Sequence, residues 1–465
     1  MKRLSSPRMM SKVCRIKNNL ISSAATLALL VGTVAFAQPL QSNNDFEPTE
    51  RRVRFVSVMA PLSNIHDWDT FATRLRTLKS NGVDGLTTDI WWGNFERSGD
   101  NQFDWSYYKQ YARVVEASGL KWIPILSFHQ CGGNVGDDCN VPLPSWIWNL
   151  APASEMQYKD ERGVVNNEYV APFYQDIYPQ YAEAMNSFSA NFQEFSSLIK
   201  KVYISLGPAG ELRYPSYAPS TGWNYPHRGY LNAYSDAAVR DFRQYLFTKY
   251  GSLNAINEAW GIFLNGYDEI TPPNDGDNFF INGRGTPYGR DFLSWYQSVL
   301  ERHLGRMLDL ARHHLRPQLG AHIPFGVKLP GVHWLHNSPT MPRAAENAAG
   351  MVDYESLLRH IKSEGAHLTF TCLEMDDYNK WNAPFYSAPK TIVNKVSSIA
   401  NRIGLPINGE NAIAINGYPQ RYDEIADVLS RYQYESFTLL RINNIVDSWG
   451  NPTQEMWPFL DKIVR

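Results

Sequence analysis

The 465-residue chain has only four cysteines, no C-x-x-C pair, and no H-E-x-x-H among its 11 histidines, which argues against a zinc site. It has no long basic run in its body, and its 44 Lys and Arg face 46 Asp and Glu, so nucleic acid is not an expected partner. No internal repeat is visible, and no G-x-G-x-x-G follows the first strand-like run, which removes the usual mark of a dinucleotide site. Only one hydrophobic stretch is long, and it lies at the N-terminus. With 43% hydrophobic and 19% charged residues, the rest has the composition of a folded globular protein.

Lys2, Arg3, Arg8, Lys12, Arg15 and Lys17 precede the apolar run Leu20 to Ala37 without one acid, and Ala35-Phe36-Ala37 supplies an A-x-A site. This predicts a signal peptide over 1–37 and export outside the cell or to the periplasm. A membrane span is the alternative, but the run contains Ser22, Ser23 and Thr26 and is short against the roughly 20 apolar residues of a span. Loss of six basic residues would leave 38 basic against 46 acidic, an acidic mature chain with no membrane partner. Residues 38–52 are polar and Pro-containing and read as a disordered leader. Cys131 and Cys139 are separated by seven residues, three of them glycine, so an oxidising compartment favours a disulfide there. On the chain-entropy model it would stabilise by roughly 2 to 3 kcal/mol.

From residue 53 on, apolar runs rich in β-branched residues alternate with amphipathic stretches. The runs are 55–60, 85–92, 121–129, 201–207, 324–334, 367–375, 405–412 and 435–443. Between them DWDTFATRLRTLKSNG, DFLSWYQSVLERHLGRMLDLARHHL, YESLLRHIKSEG and TIVNKVSSIANRIG repeat apolar residues at helical spacing. Eight alternations predict an α/β chain folded as a single (β/α)8 TIM barrel over 53–465, with a doubly wound open sheet as the competitor. Long segments after the third, fourth and fifth strands predict a lobe of loops over the C-terminal face. The chain ends some 20 residues after the eighth run, so no added module is expected there.

Barrel enzymes place their chemistry at the carboxyl ends of strands. Here those ends carry Asp89, His129, Glu211, Lys328 with His333, Thr371, Glu410 with Asn411, and Arg441. Glu211 in GPAGE and Glu410 in NGEN follow the fourth and seventh runs beside glycines that let a ligand approach closely. Two facing carboxylates suit glycoside hydrolysis, one protonating the leaving oxygen while the other activates water or attacks the sugar. Each glutamate read alone also fits a plain salt bridge. The 13% aromatic content supplies flat apolar faces that suit sugar rings.

HQCGGNVGDDCNVPLPSW (129–146), GPAGELRYPSY (207–217), FTCLEM (370–375), NGEN (408–411) and FTLLR (437–441) resemble, in order, the signature regions of beta-amylases, glycoside hydrolase family 14. The resemblance implies an exo-acting hydrolase of α-1,4-glucans such as starch or glycogen, releasing maltose from non-reducing ends with inversion to the β-anomer. It needs no cofactor for its chemistry, and a monomer without a separate starch-binding domain is expected. Glu211 matches the general acid and Glu410 the general base. Inversion requires carboxyl groups roughly 6.5 to 9.5 Å apart, with the acid's pKa raised by burial or like charge. Lys328 matches the residue beside the base, and Thr371 belongs to an inner loop that steadies it. Asp89, His129, Asp137, His333, Asn411, Ala412 and Arg441 match positions that hold glucose units. The stretch Gly132 to Pro144 matches a lid that closes on the chain end and excludes water.

Bacterial relatives of this type carry a calcium site, whose positions here are Glu96, Asp100, Asn101, Gln180 and Glu183. Gln180 stands where a Glu is expected, so one negative charge is missing. Two other functions stay open: a retaining glycosidase of another barrel family, against which Gly210 rather than Asn precedes Glu211, and a non-catalytic glucan-binding or sensing protein.

Overall fold

The computed structural model describes residues 51–465 apart from Val135. The expected signal segment and nearly all of the leader lie outside the described residues. The leader's last two residues do not behave as expected. Arg51 pairs with Asp84 at 2.8 Å and donates to the Gly82 carbonyl, and Arg52 donates to the Lys462 carbonyl. A carboxylate and two carbonyls at the foot of the barrel bind the chain before residue 53.

Eight parallel strands close into a barrel: β1 (Phe55–Met59), β2 (Gly85–Trp91), β3 (Lys121–Ser127), β4 (Val202–Ile204), β5 (Phe325–Leu329), β6 (His367–Phe370), β7 (Ile407–Glu410) and β8 (Tyr434–Leu439). Closure is made by β1 on β8, Phe55 opposite Ser436 and Val56 opposite Phe437, which rules out the open doubly wound sheet. Alternation along β1 sends Val56 and Val58 outward into the main core, while Met59 joins Ile123, Ile125 and Tyr203 in a small apolar plug inside the barrel.

Several expected strands are shorter than their apolar runs. Strand β5 stops before Pro330, which has no amide to continue the ladder, and β6 stops before the turn in which Cys372 takes φ 69°. The trimmed ends become loops over the carboxyl mouth.

The outer helices are α1 (Trp68–Ser80), α2 (Ser106–Ser118), α3 (Tyr178–Phe192), α4 (Asp236–Tyr250), α5 (Leu253–Trp260), α6 (Pro287–His314), α7 (Tyr354–Ser363), α8 (Pro389–Ile403) and α9 (Gln420–Arg431). Their ends follow local chemistry: Asp67, Ser235, Ser252, Thr286 and Asp353 accept from first-turn amides at the starts of α1, α4, α5, α6 and α7. Among the described residues no helix is long and apolar enough to cross a membrane.

The long segments after β3, β4 and β5 pack on one another as expected. Arg228, after β4, is buried between Glu161, after β3, at 2.5 Å and Asp277 at 2.7 Å. Trp334, after β5, donates its indole N–H to the His227 carbonyl at 2.8 Å. A charge pair and a buried indole thus lock the three insertions together beside the carboxyl mouth.

Candidate active site

A cavity of about 770 Å³ opens at the carboxyl ends of the strands. Its wall includes Asp89, His129, Asp137, Glu211, Lys328, His333, Thr371, Glu410, Ala412 and Arg441, ten of the eleven residues that sequence reasoning assigned to catalysis and sugar binding. Asn411 is the eleventh, and it does not reach the cavity. It is fully buried, its amide donates to the carbonyls of Ile413 (2.9 Å) and Leu440 (3.1 Å), and its oxygen accepts from the Leu440 amide (2.9 Å). One residue past the end of β7, alternation turns it away from Glu410's side, and its side chain fastens the end of β7 to β8.

The two glutamates are held differently. Glu211 Oε2 accepts from Arg213 Nε at 2.8 Å and from the Tyr217 hydroxyl at 3.3 Å. Burial raises its pKa above the ordinary glutamate value, and the Arg213 charge opposes that rise without cancelling it. Because both donors sit on Oε2, Oε1 is the oxygen left to carry a proton. Both oxygens of Glu410 contact Lys328 Nζ, at 3.1 and 2.8 Å. Lys328 in turn lies opposite Glu211 in an isolated parallel bridge, so one lysine joins the two strand ends. Gly210 has φ 76°, and a Cβ there would lie 3.1 Å from the His129 ring, so glycine lets the loop that carries Glu211 approach that imidazole.

The surrounding polar groups are fixed by neighbours outside the cavity. His129 Nδ1 meets Ser205 Oγ at 2.8 Å, and burial, with Lys328 and Arg213 nearby, drops its pKa to about 3. His333 Nδ1 meets Ser387 Oγ at 2.8 Å, with its pKa pulled by burial to about 4. Both rings are therefore neutral near pH 7, each with Nε2 left over. Burial raises the Asp89 pKa while Arg441 and Lys328 oppose it, and Ser127 Oγ donates to its carboxylate at 2.8 Å.

Cys131 and Cys139 are joined in a disulfide, and Cys131 also exchanges backbone hydrogen bonds with Val141 at 2.8 and 3.0 Å. The expected lid is thus a loop pinched at its base. Asp137 Oδ2 accepts from the amides of Gly132 and Asn134, so in this arrangement it shapes the loop that carries it.

Several side chains in or around the cavity wall were not singled out from the sequence. Arg213 is buried at 1% side-chain exposure and links Glu211 to the loop at 132–144, since its Nη2 donates to Asn134 Oδ1 at 2.8 Å. Its place two residues after Glu211, on the same side of an extended segment, was the available signal. Glu374 Oε1 accepts from the amides of Ala412 (2.9 Å) and Ile413 (2.8 Å), pinning the segment after Glu410. Burial pushes its pKa up to about 7. Tyr217, Trp223, Tyr225 and Trp334 give the cavity an aromatic side.

The five calcium positions come together in part. Asn101 donates its amide N–H to Glu96 Oε1 at 2.8 Å and its side-chain N–H to Glu183 (3.1 Å) and Asp100 (3.2 Å). Gln180 Oε1 is buried with no hydrogen-bond partner. These oxygen donors fit a hard cation in kind, with few charges. Among the described residues no group of three or more His, Cys, Asp or Glu is arranged to hold a metal.

A parallel barrel with two differently paired glutamates in the wall of a part-aromatic cavity at its carboxyl mouth defines a glycoside-hydrolase type of protein. Comparison with known proteins makes the class specific. The model of glycosyl hydrolase family 14 matches residues 57–465, and the chain belongs to that family. It is 50% identical over 439 residues to a thermophilic beta-amylase of Thermoanaerobacterium thermosulfurigenes, covering 94% of this chain and 79% of that protein. A beta-amylase of Niallia circulans is 51% identical over 411 residues, 88% of this chain and 70% of the relative. The crystal structure of the catalytic domain of beta-amylase from Paenibacillus polymyxa superposes with a TM-score of 0.85 at 50% identity, covering 88% of this chain and 97% of that one.

Proposed function

We propose that the chain hydrolyses α-1,4-glucosidic bonds of starch-type glucans, releasing maltose from non-reducing ends as the β-anomer, with Glu211 as general acid and Glu410 as general base. The observation that carries this reading is the unequal setting of the two glutamates across one cavity: Glu211 raised by burial, Glu410 ion-paired through both oxygens to Lys328. Glu211 gives the proton on Oε1 to the glycosidic oxygen as the bond to the anomeric carbon breaks. Glu410 takes a proton from water as that water attacks the same carbon from the opposite face, which inverts the centre. Arg213 and Tyr217, both on Oε2, keep Oε1 aimed at the leaving oxygen. Neutral His129 and His333, with Asp89 and Arg441, are placed to hold ring hydroxyls.

The assignment is tested with Glu211→Gln and Glu410→Gln in the full chain. Each is expected to lower maltose release from maltopentaose by roughly 10³-fold or more with Tm unchanged, as loss of a group acting in the transition state does. Near-normal turnover in either variant would overturn that residue's role. If the wild-type chain binds maltose and releases none, the sensing reading replaces the enzyme.

Export through residues 1–37 and a calcium ion at Glu96, Asp100, Asn101, Gln180 and Glu183 belong to the same reading. Calcium would serve stability, since these residues lie outside the cavity wall. A Tm higher in calcium than in chelator supports it, and equal values remove it.

A further inference from the structure

The loop between β6 and α8 turns two large aromatic side chains into water: Tyr378 is 83% and Trp381 72% exposed. The loop is firmly held. The Asp377 carboxylate accepts from the Thr391 amide at 3.1 Å, its hydroxyl at 2.5 Å, and Lys380 at 3.3 Å. The carbonyls of Phe385 and Tyr386 accept from the amides of Leu335 (2.8 Å) and Asn337 (3.3 Å). That neighbouring segment supplies His333 and Trp334 to the cavity wall.

Aromatic rings mark a path from the cavity to this loop. Trp334 and Tyr225 both line the cavity, with ring centroids 5.8 Å apart. Phe385 stacks on Tyr225 at 5.6 Å with 24° between planes. Trp381 lies four residues before Phe385, directly ahead of a turn closed by the Phe385 and Tyr386 amides on the Asn382 carbonyl, at 3.0 and 2.8 Å. An outward path of rings costs folding energy in water, because it leaves apolar area unburied. A sugar chain covers such rings with its C–H faces while its hydroxyls stay wet. A polymer whose end fills the cavity must also run out across the rim.

The geometry points to Tyr378 and Trp381 as an outer docking site for the stretch of α-1,4-glucan that lies beyond the cavity, an inference that rests on the function proposed above. The site adds nothing to bond cleavage. It raises the affinity for long chains over short ones.

The test uses Trp381→Ala, Tyr378→Ala and the double variant in the full chain, with long amylose and maltopentaose as substrates. Removal of one stacking ring is expected to raise KM on amylose roughly 2- to 10-fold with kcat unchanged, and to leave KM on maltopentaose unchanged. Affinity electrophoresis in amylose gels should show less retardation of each variant. Unaltered KM on both substrates and unaltered retardation would overturn the proposal. So would a change in sedimentation on mutation, which would assign the rings to contact between copies of the chain. If the wild-type chain fails to cleave maltopentaose, the proposed function falls, and retardation in the gel still decides the docking site.

Discussion

The change Glu374→Gln tests how burial sets a charge beside the candidate base. In the folded chain Glu374 is buried, one oxygen accepting two amides and Oε2 without a partner, and burial lifts its pKa from 4.5 to about 7. A carboxyl whose folded pKa is raised contributes stability at low pH, and that contribution is lost as pH rises from the unfolded value towards the folded one. Between pH 5.5 and 8.5 a shift of this size corresponds to ~2 kcal/mol lost at the alkaline end. For a chain of this length that is about 2 to 3 °C in Tm. Glutamine keeps an oxygen for Ala412 and Ile413 and puts an uncharged group where Oε2 lies. The variant should therefore lack this alkaline loss. The assay is thermal unfolding of both proteins at pH 5.5 and 8.5, read as the difference of the two differences, which cancels other titrating groups such as Glu96. Parallel pH dependence in the two proteins would refute the reasoning.

Arg213→Met removes the charge that opposes the rise in the Glu211 pKa, so the alkaline limb of kcat/KM should move to higher pH while kcat falls; an unmoved limb would separate Arg213 from the acid. Asn411→Ala leaves the Leu440 amide without its partner, and should cost roughly 1 to 3 kcal/mol, read as a fall in Tm. A raised KM with unchanged Tm would return Asn411 to the sugar site. Cys139→Ser opens the base of the lid and should lower stability by roughly 2 to 3 kcal/mol on the chain-entropy model, measured as a drop in Tm under oxidising conditions.

The barrel was legible because its strands are short runs of β-branched residues and its helices keep a clear apolar stripe, both patterns set by local burial. FVSVM and YESLLRHIKS became β1 and α7 nearly as read. The placement of Glu211 and Glu410 in the cavity wall was legible from their places at strand ends. Arg213 and Glu374 were not, because their roles depend on contacts across the fold: a lid asparagine in one case, and two amides of the next strand's end in the other. Asn411 was read as facing the cavity, and its side chain does not, for a related reason. A polar residue beside a catalytic one reads as a ligand contact, whereas full burial between two strand ends is a fact of three dimensions. The polar leader ran two residues too far because an arginine gives no sign in sequence of the carboxylate it will meet.

The central claim is that Glu211 and Glu410 act from opposite faces of the scissile bond. Proton NMR of the first sugar released from maltopentaose, recorded before mutarotation, tests it most directly. Maltose is expected whose anomeric signal appears first as the β form and only later as the equilibrium mixture. Maltose appearing first as the α form would mean retention, and would contradict the roles given to both glutamates.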